Sequence, residues 1–281
     1  MDNKMNIKIL IIFVILISAF SGCIQESKEI QTLDLSTTTS TCDTGILDVL
    51  NKEFESKNNV IIKTICQGTG KAIATGELGA ADVVLVHAPS SELAAVESGS
   101  FIDRTFIMSN YFVIIGPASD PAGITDASSA RDAFSRIAMT QSPFLSRGDE
   151  SGTHNKEISI WNAANITRGG EWYHTVGKGM GDTIMTANIM EGYTLSDRGT
   201  YLAMKDNVDS VILFENDNKF LYNPYHVMAV NPEKFPDINY KLAIQYINFL
   251  TSDEVQDIIK DYGVEEFDQP MFIPSTNAIE E

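Results

Sequence analysis

This chain has little cysteine, little positive charge and little uninterrupted hydrophobicity. Three cysteines in 281 residues are too few for a disulfide scaffold. Twenty Lys and Arg against 38 Asp and Glu leave a net charge of −18. That balance argues against a nucleic-acid partner, since phosphate backbones need a basic surface to release their counterions. The four histidines, His87, His154, His174 and His226, are scattered without the spacing of a cation site, so neither a metal nor a cofactor is expected. The only long apolar run, Ile9 to Phe20, is too short and too abruptly ended to span a membrane. No internal repeat is visible. With 43% hydrophobic and 21% charged residues, the composition excludes a collagen-like, coiled-coil or wholly disordered chain.

What is present begins with an address. Lys4 and Lys8 precede the apolar run and Ser21-Gly22-Cys23 closes it, the arrangement of a signal peptide. A cysteine directly after Ser-Gly resembles the lipobox of lipoproteins, where the thiol is lipid-modified and becomes the new N-terminus. Phe20 stands where a Leu is usual. The expectation is a signal peptide over 1–22, lipidation at Cys23 and a polar tether over 23–31. The protein would then be extracytoplasmic, anchored to the outer face of the cytoplasmic membrane.

Beyond the tether, short apolar strands alternate with helical patterns. Thr32–Leu35 reads as a strand, and Ile46, Leu47, Leu50 and Phe54 fall on a 3.6-residue period over a helix from about 45 to 57. Strands over 60–65 and 82–86 follow, separated by a helix over 71–78; the second is continuously apolar, as buried parallel strands are. Another strand covers 111–116. Helices are expected near 128–138, 153–164 and 182, then a strand over 225–230 and closing helices over 239–250 and 252–262. Strand–helix–strand order at this spacing predicts βαβ units. The chain is expected to form two α/β lobes: lobe I from 32–116 and 225–281, lobe II from 117–224.

Three loops carry chemistry. Ser36-Thr37-Thr38-Thr39-Ser40-Thr41 follows the first strand, and Gln67-Gly68-Thr69-Gly70 the second; each offers hydroxyls or glycines before a helix. The third, Ser146-Arg147-Gly148-Asp149-Glu150-Ser151-Gly152-Thr153-His154, adds a planar fork of donors to a helix start that favours negative charge. A lesser element, Gly177 to Thr183, places alternate glycines, Gly181 among them, before a helix. Neutral donors with one cation suit a small, dehydrated oxyanion. Net −18 is no objection, because distant charge is screened over about 8–10 Å. Cys42 and Cys66 each follow a strand, in loops that should be neighbours; a disulfide and two free thiols both remain open.

These runs, together with Ala81 to Pro89 and Tyr193-Thr194-Leu195-Ser196-Asp197-Arg198-Gly199-Thr200-Tyr201, resemble the tungstate-binding proteins of ABC transporters, in order and over nearly the whole mature chain. The resemblance implies a type II periplasmic-binding-protein fold, α/β in class, whose two lobes are joined by two crossover segments. It implies a monomer that closes on tungstate or molybdate and delivers it to a permease and an ATPase. By motif position, ligand contacts would come from Thr38, Thr69, Arg147 and Thr153, with backbone amides near Ser151, Gly152 and Gly181; Thr39 and Ser146 are further candidates. Asn58-Asn59, where the family often has Thr-Gly, is remote from these loops.

Phosphate-binding proteins share the pattern Arg-x-Asp-x-Ser-Gly-Thr, so a phosphate or sulfate binder of the same fold is the alternative. Phosphate carries a proton that Asp149 could accept, whereas tungstate carries none, so the direction of Asp149 separates the readings. A hydrolase is the rival class, with Ser151 near His154. The Gly-x-Ser-x-Gly elbow is lacking, and a histidine three positions on does not face the serine squarely.

Overall fold

Val83, Val84, Leu85 and Val86 are all fully buried, because their strand has helices on both faces. Val83 and Leu85 point into one core, beside Leu33, Leu50, Phe54 and Tyr246, while Val84 and Val86 point into another, beside Ala72, Ile73, Ala95 and Phe101. Strand alternation thus feeds two helix layers from one sheet. These relations come from a computed structural model, which describes residues 30–215 and 217–277. The signal segment 1–22 and Cys23 lie outside the described residues.

In chain order the first elements are β1 (Gln31–Thr38), α1 (Thr39–Asp43), α2 (Ile46–Lys57), β2 (Val60–Gln67), α3 (Thr69–Glu77), β3 (Val83–Val86), α4 (Pro89–Glu97) and β4 (Phe101–Gly116). The middle holds α5 (Ala130–Thr140), β5 (Phe144–Ser146), α6 (Gly152–Ala163), β6 (Tyr173–Thr175), α7 (Met180–Ile189), β7 (Thr194–Asp197), α8 (Arg198–Met204) and β8 (Val211–Phe214). β9 (Tyr222–Val230), α9 (Tyr240–Leu250), α10 (Asp253–Asp261), α11 (Val264–Phe267) and β10 (Ile273–Pro274) close the chain.

The main sheet runs β10-β4-β9-β3-β1-β2, and β7 and β8 also pair with β4. β1 and β3 are parallel, with Leu35 opposite Val83, whereas β9 is antiparallel to both β3 and β4. The sheet is therefore mixed. α3 presses closely on it: a Cβ at Gly76 would stand 2.5 Å from the Phe101 ring and 2.7 Å from Val84. Gly76→Ala would force that helix away from the sheet.

β4 is sixteen residues long and serves both lobes. Its first part pairs with β9 from Phe101 to Tyr111, and Phe112 to Gly116 pair with β7 and β8. Phe112 N donates to Leu221 O at 2.7 Å, so the two crossing strands run side by side. Near the boundaries expected at 116 and 224, residues 112–116 pair with β7 and β8, and 222–224 pair with the first part of β4. The run 111–116 is almost wholly buried, and nothing in its own pattern marks the change of pairing partner. Only the second part of β4 was predicted. Register shifts between Ile102 and Thr105 and between Phe106 and Met108, with Asp103 at φ +53°, break the alternation of the rest.

Lobe II has its own core, in which Phe134, Phe144 and Trp172 surround Trp161. β5 and β6 pair in parallel there, Ser146 opposite Thr175. Trp161, Trp172 and Tyr173 pack against one another in this core.

Candidate functional site

Three of the expected loops meet where the lobes face each other. Thr69, first residue of α3, accepts a hydrogen bond through Oγ1 from Gly152 N, the first amide of α6, at 2.9 Å. A Cβ at Gly152 would come within 3.3 Å of both Thr69 Oγ1 and His87 Cε1. The fourth loop adjoins them, since Gly177 N donates to Arg147 O at 2.8 Å. Helix N-termini and strand carboxyl ends are thus gathered at one cleft, where unpaired amides and hydroxyls favour an anion.

The first loop is a hydroxyl cluster. Thr38 caps α1, its Oγ1 accepting from Thr41 N at 3.1 Å, and lies 2.7 Å from Thr41 Oγ1 and 3.0 Å from Ser40 Oγ. Thr39 follows, half-buried. Beneath them His87 Nε2 is 3.0 Å from Ser40 Oγ and 3.3 Å from Thr38 Oγ1, and His87 Nδ1 is 2.9 Å from Asn223 Oδ1. Asn223 Nδ2 donates to Asn110 Oδ1 at 2.7 Å. The Asn223 oxygen therefore accepts the Nδ1 proton, which leaves Nε2 to accept from Ser40. Burial holds His87 below the ordinary imidazole range; Asp197 and Glu92 pull the other way. The imidazole is neutral and fixed in one tautomer.

The third loop depends on Gly148. Its φ is +60°, and a Cβ there would lie 2.0 Å from Thr175 Cγ2, so only glycine fits. Arg147 is buried and donates through Nε and Nη2 to Asp149 Oδ2 at 3.1 and 2.5 Å, while Asp149 Oδ1 accepts from Ser151 N at 3.2 Å. Both carboxylate oxygens are engaged inside the loop. Asp149 thus faces Arg147 and the Ser151 amide, and orients the guanidinium. Burial and the neighbouring Asp197 hold the Asp43 carboxyl above its ordinary range, against the pull of Arg147. Thr153 is 2% exposed, and its Oγ1 has no hydrogen-bond partner among the described residues. A buried hydroxyl left unpaired is costly, and a ligand oxygen would satisfy it.

Thr38, Thr69, Arg147, Ser151, Gly152 and Thr153 are brought together and buried. The amides of Ser151 and Gly152, expected to face ligand, are bonded to Asp149 and Thr69. Gly181 is half-buried in the first turn of α7, beside Met204. Ser146 departs from expectation: its Oγ donates to Glu157 Oε2 at 2.7 Å, into the interior of lobe II. Glu157 also accepts from Trp161 Nε1 at 3.0 Å and Tyr173 Oη at 2.7 Å, and burial pushes its carboxyl up to about 7. His154 Nδ1 accepts from Glu150 N, and Ser151 Oγ accepts from His154 N, so this pair closes the loop.

Sequence reasoning held Ser40 only as part of the first loop and did not single out His87 or Asn223 as members of the site. The available signal was position, because His87 directly follows the buried strand β3, at the end where ligands gather. Cys42 and Cys66 form a disulfide with Cα atoms 6.2 Å apart, tying the end of α1 to β2. No group of three or more His, Cys, Asp or Glu that could hold a metal ion occurs among the described residues.

A profile of the PBP superfamily domain matches residues 26–254. A putative ABC transporter anion-binding protein of Haloferax volcanii is 52% identical over 236 residues, 83% of this chain and 69% of that protein. The tungstate-binding protein TupA of Peptoclostridium acidaminophilum is 36% identical over 283 residues, 97% of this chain and 99% of that one. The crystal structure of the tungstate ABC transporter from Geobacter sulfurreducens superposes with a TM-score of 0.76 at 48% identity, covering 82% of this chain and 98% of the other. The chain belongs to the PBP superfamily of solute-binding proteins, and within it to the family of the tungstate-binding proteins.

Proposed function

We propose that this protein is the extracytoplasmic substrate-binding component of an ABC importer, that it binds tungstate in the cleft between its lobes, and that it hands the ion to a permease and an ATPase. One observation carries the choice of ion. Asp149 turns its oxygens to Arg147 and Ser151, which supports a site that aims donors at a fully ionised oxyanion and does not aim this carboxylate at a phosphate proton. Thr69, Thr153 and Arg147 supply the donors, with the hydroxyl cluster of Thr38 and Thr39 opposite. Ligand contacts from both lobes favour the closed form, a shift of population set by the difference in affinity between open and closed states. Molybdate, a tetrahedral dianion, suits the same donors.

The solute-binding family and the loop role of His154 support a protein without catalysis and without a cofactor. The Lys4–Cys23 pattern supports a cleaved signal and a lipid anchor at Cys23, holding the protein at the outer face of the cytoplasmic membrane.

The test is thermal-shift and calorimetric titration of the protein with tungstate, molybdate, sulfate and phosphate. A ligand bound only by the folded form raises the midpoint with concentration. Tungstate should do so at the lowest concentration, and a stronger response to phosphate would overturn the reading. Arg147→Ala should weaken tungstate at least tenfold, about the loss of one charge-assisted hydrogen bond. Lys71→Ala, on the exposed side of α3, should leave it unchanged.

A further inference from the structure

A second cavity, of about 280 Å³, opens on the other face of β9 from the His87 network. Strand alternation sends Asn223 and Tyr225 toward His87, and Tyr222, Pro224 and His226 into this cavity. Both lobes line it: Leu93, Arg104 and Phe106 from lobe I, Lys156 and Lys219 from lobe II.

Its charge is opposite to that of the chain. Arg104 spends Nε and Nη2 on the buried Glu92, at 3.0 and 2.7 Å, and Glu92 also lies 3.0 Å from His226 Nδ1. That single carboxylate is already engaged, its other oxygen accepting from Ala88 N at 2.6 Å, and His226 Nδ1 lies 3.0 Å from Arg104 Nη2. Lys156 and Lys219 pair with no carboxylate among the described residues. Lys156 Nζ donates to Tyr222 O at 3.1 Å and sits 5.6 Å above the Phe112 ring, which leaves donors to spare. Burial also weakens its hold on its proton. A half-buried cation without a counter-ion is unfavourable, and an anion in the cavity would relieve it. Leu93 and Phe106 add an apolar wall.

We infer that this cavity is a second anion site, distinct from the oxyanion cleft, for a small carboxylate with an apolar body: the carboxylate meets Lys156 and Arg104, and the body lies against Leu93 and Phe106. Because both lobes line it, its occupant bears on their relative angle.

Benzoate is the probe, titrated by calorimetry and saturation-transfer NMR into the full chain already saturated with tungstate. Saturable binding is expected, weakened about tenfold by Lys156→Met, which keeps the stem over Phe112 and removes the charge. Should that variant fold poorly, Leu93→Glu at an exposed position sets a carboxylate at the cavity and should abolish benzoate binding while tungstate affinity holds. Two results would overturn the inference: no benzoate binding to the tungstate-loaded protein, or binding that neither variant changes.

Discussion

Thr69 Oγ1 accepts the amide proton of Gly152 at 2.9 Å, joining residues 83 positions apart on opposite lobes. Because that oxygen is the acceptor, the hydroxyl proton stays free to be given to an oxyanion. One side chain thereby latches the cleft and, on the proposed reading, keeps a donor for its ligand.

Thr69→Val keeps the volume and removes both functions, leaving the Gly152 amide unpaired. Tungstate affinity should fall about 10- to 100-fold by calorimetry, the range for losing a hydrogen bond to a charged group. Thr69→Ser should restore most of it.

On the proposed reading Asp149 acts on the ligand through Arg147. Asp149→Ala frees the guanidinium and the Ser151 amide from their common anchor, and tungstate should bind about tenfold more weakly. Asp149→Asn keeps one acceptor in place and removes a negative charge, so its affinity should stay within about threefold of the parent. If Asp149→Ala bound tungstate as tightly as the parent, the assignment of Asp149 to Arg147 would be wrong.

Glu157 makes stability depend on pH. Its carboxyl is raised to about 7 from the ordinary 4.5, so between these values the folded chain holds a proton that the unfolded chain has lost. Stability from this group is present at pH 4.5 and declines as pH rises through 7. The span corresponds to about 3 kcal/mol. Glu157→Gln, whose amide can meet the same three neighbours, should flatten the decline: near parity with the parent at pH 5 and greater stability at pH 8. Denaturant titration at the two pH values measures it.

The Cys42–Cys66 bond closes a loop of sequence separation 24. Constraining the unfolded chain over that length is worth about 3 kcal/mol. The Cys42→Ser/Cys66→Ser protein should melt about 6–12 °C lower, and tungstate should recover part of the loss, since ligand binds only the folded form.

Much of the helical layer was legible because its signals are local. Ile46, Leu47, Leu50 and Phe54 repeat at helical spacing and all four are buried. The loop Arg147–Thr153 announced itself through a cation, two glycines and hydroxyls at a helix start. Ser146 looked no different from its neighbours, yet its hydroxyl turns to Glu157, eleven positions away and on another element. The first ten residues of β4 were not legible, because their alternation is broken by register shifts that only the partner β9 makes sense of.

The sequence by itself determined which segments would be helix or buried strand and where donors would cluster, since periodicity, capping residues and turn glycines act within a few positions. Only the tertiary structure decided where the chain changes lobes, that His87 lies beneath the hydroxyl cluster as a neutral acceptor, that Asp149 faces Arg147, and that uncompensated lysines ring a second cavity. Those outcomes depend on which groups distant segments bring within hydrogen-bonding range, and on burial, which sets protonation and is a property of the assembled fold.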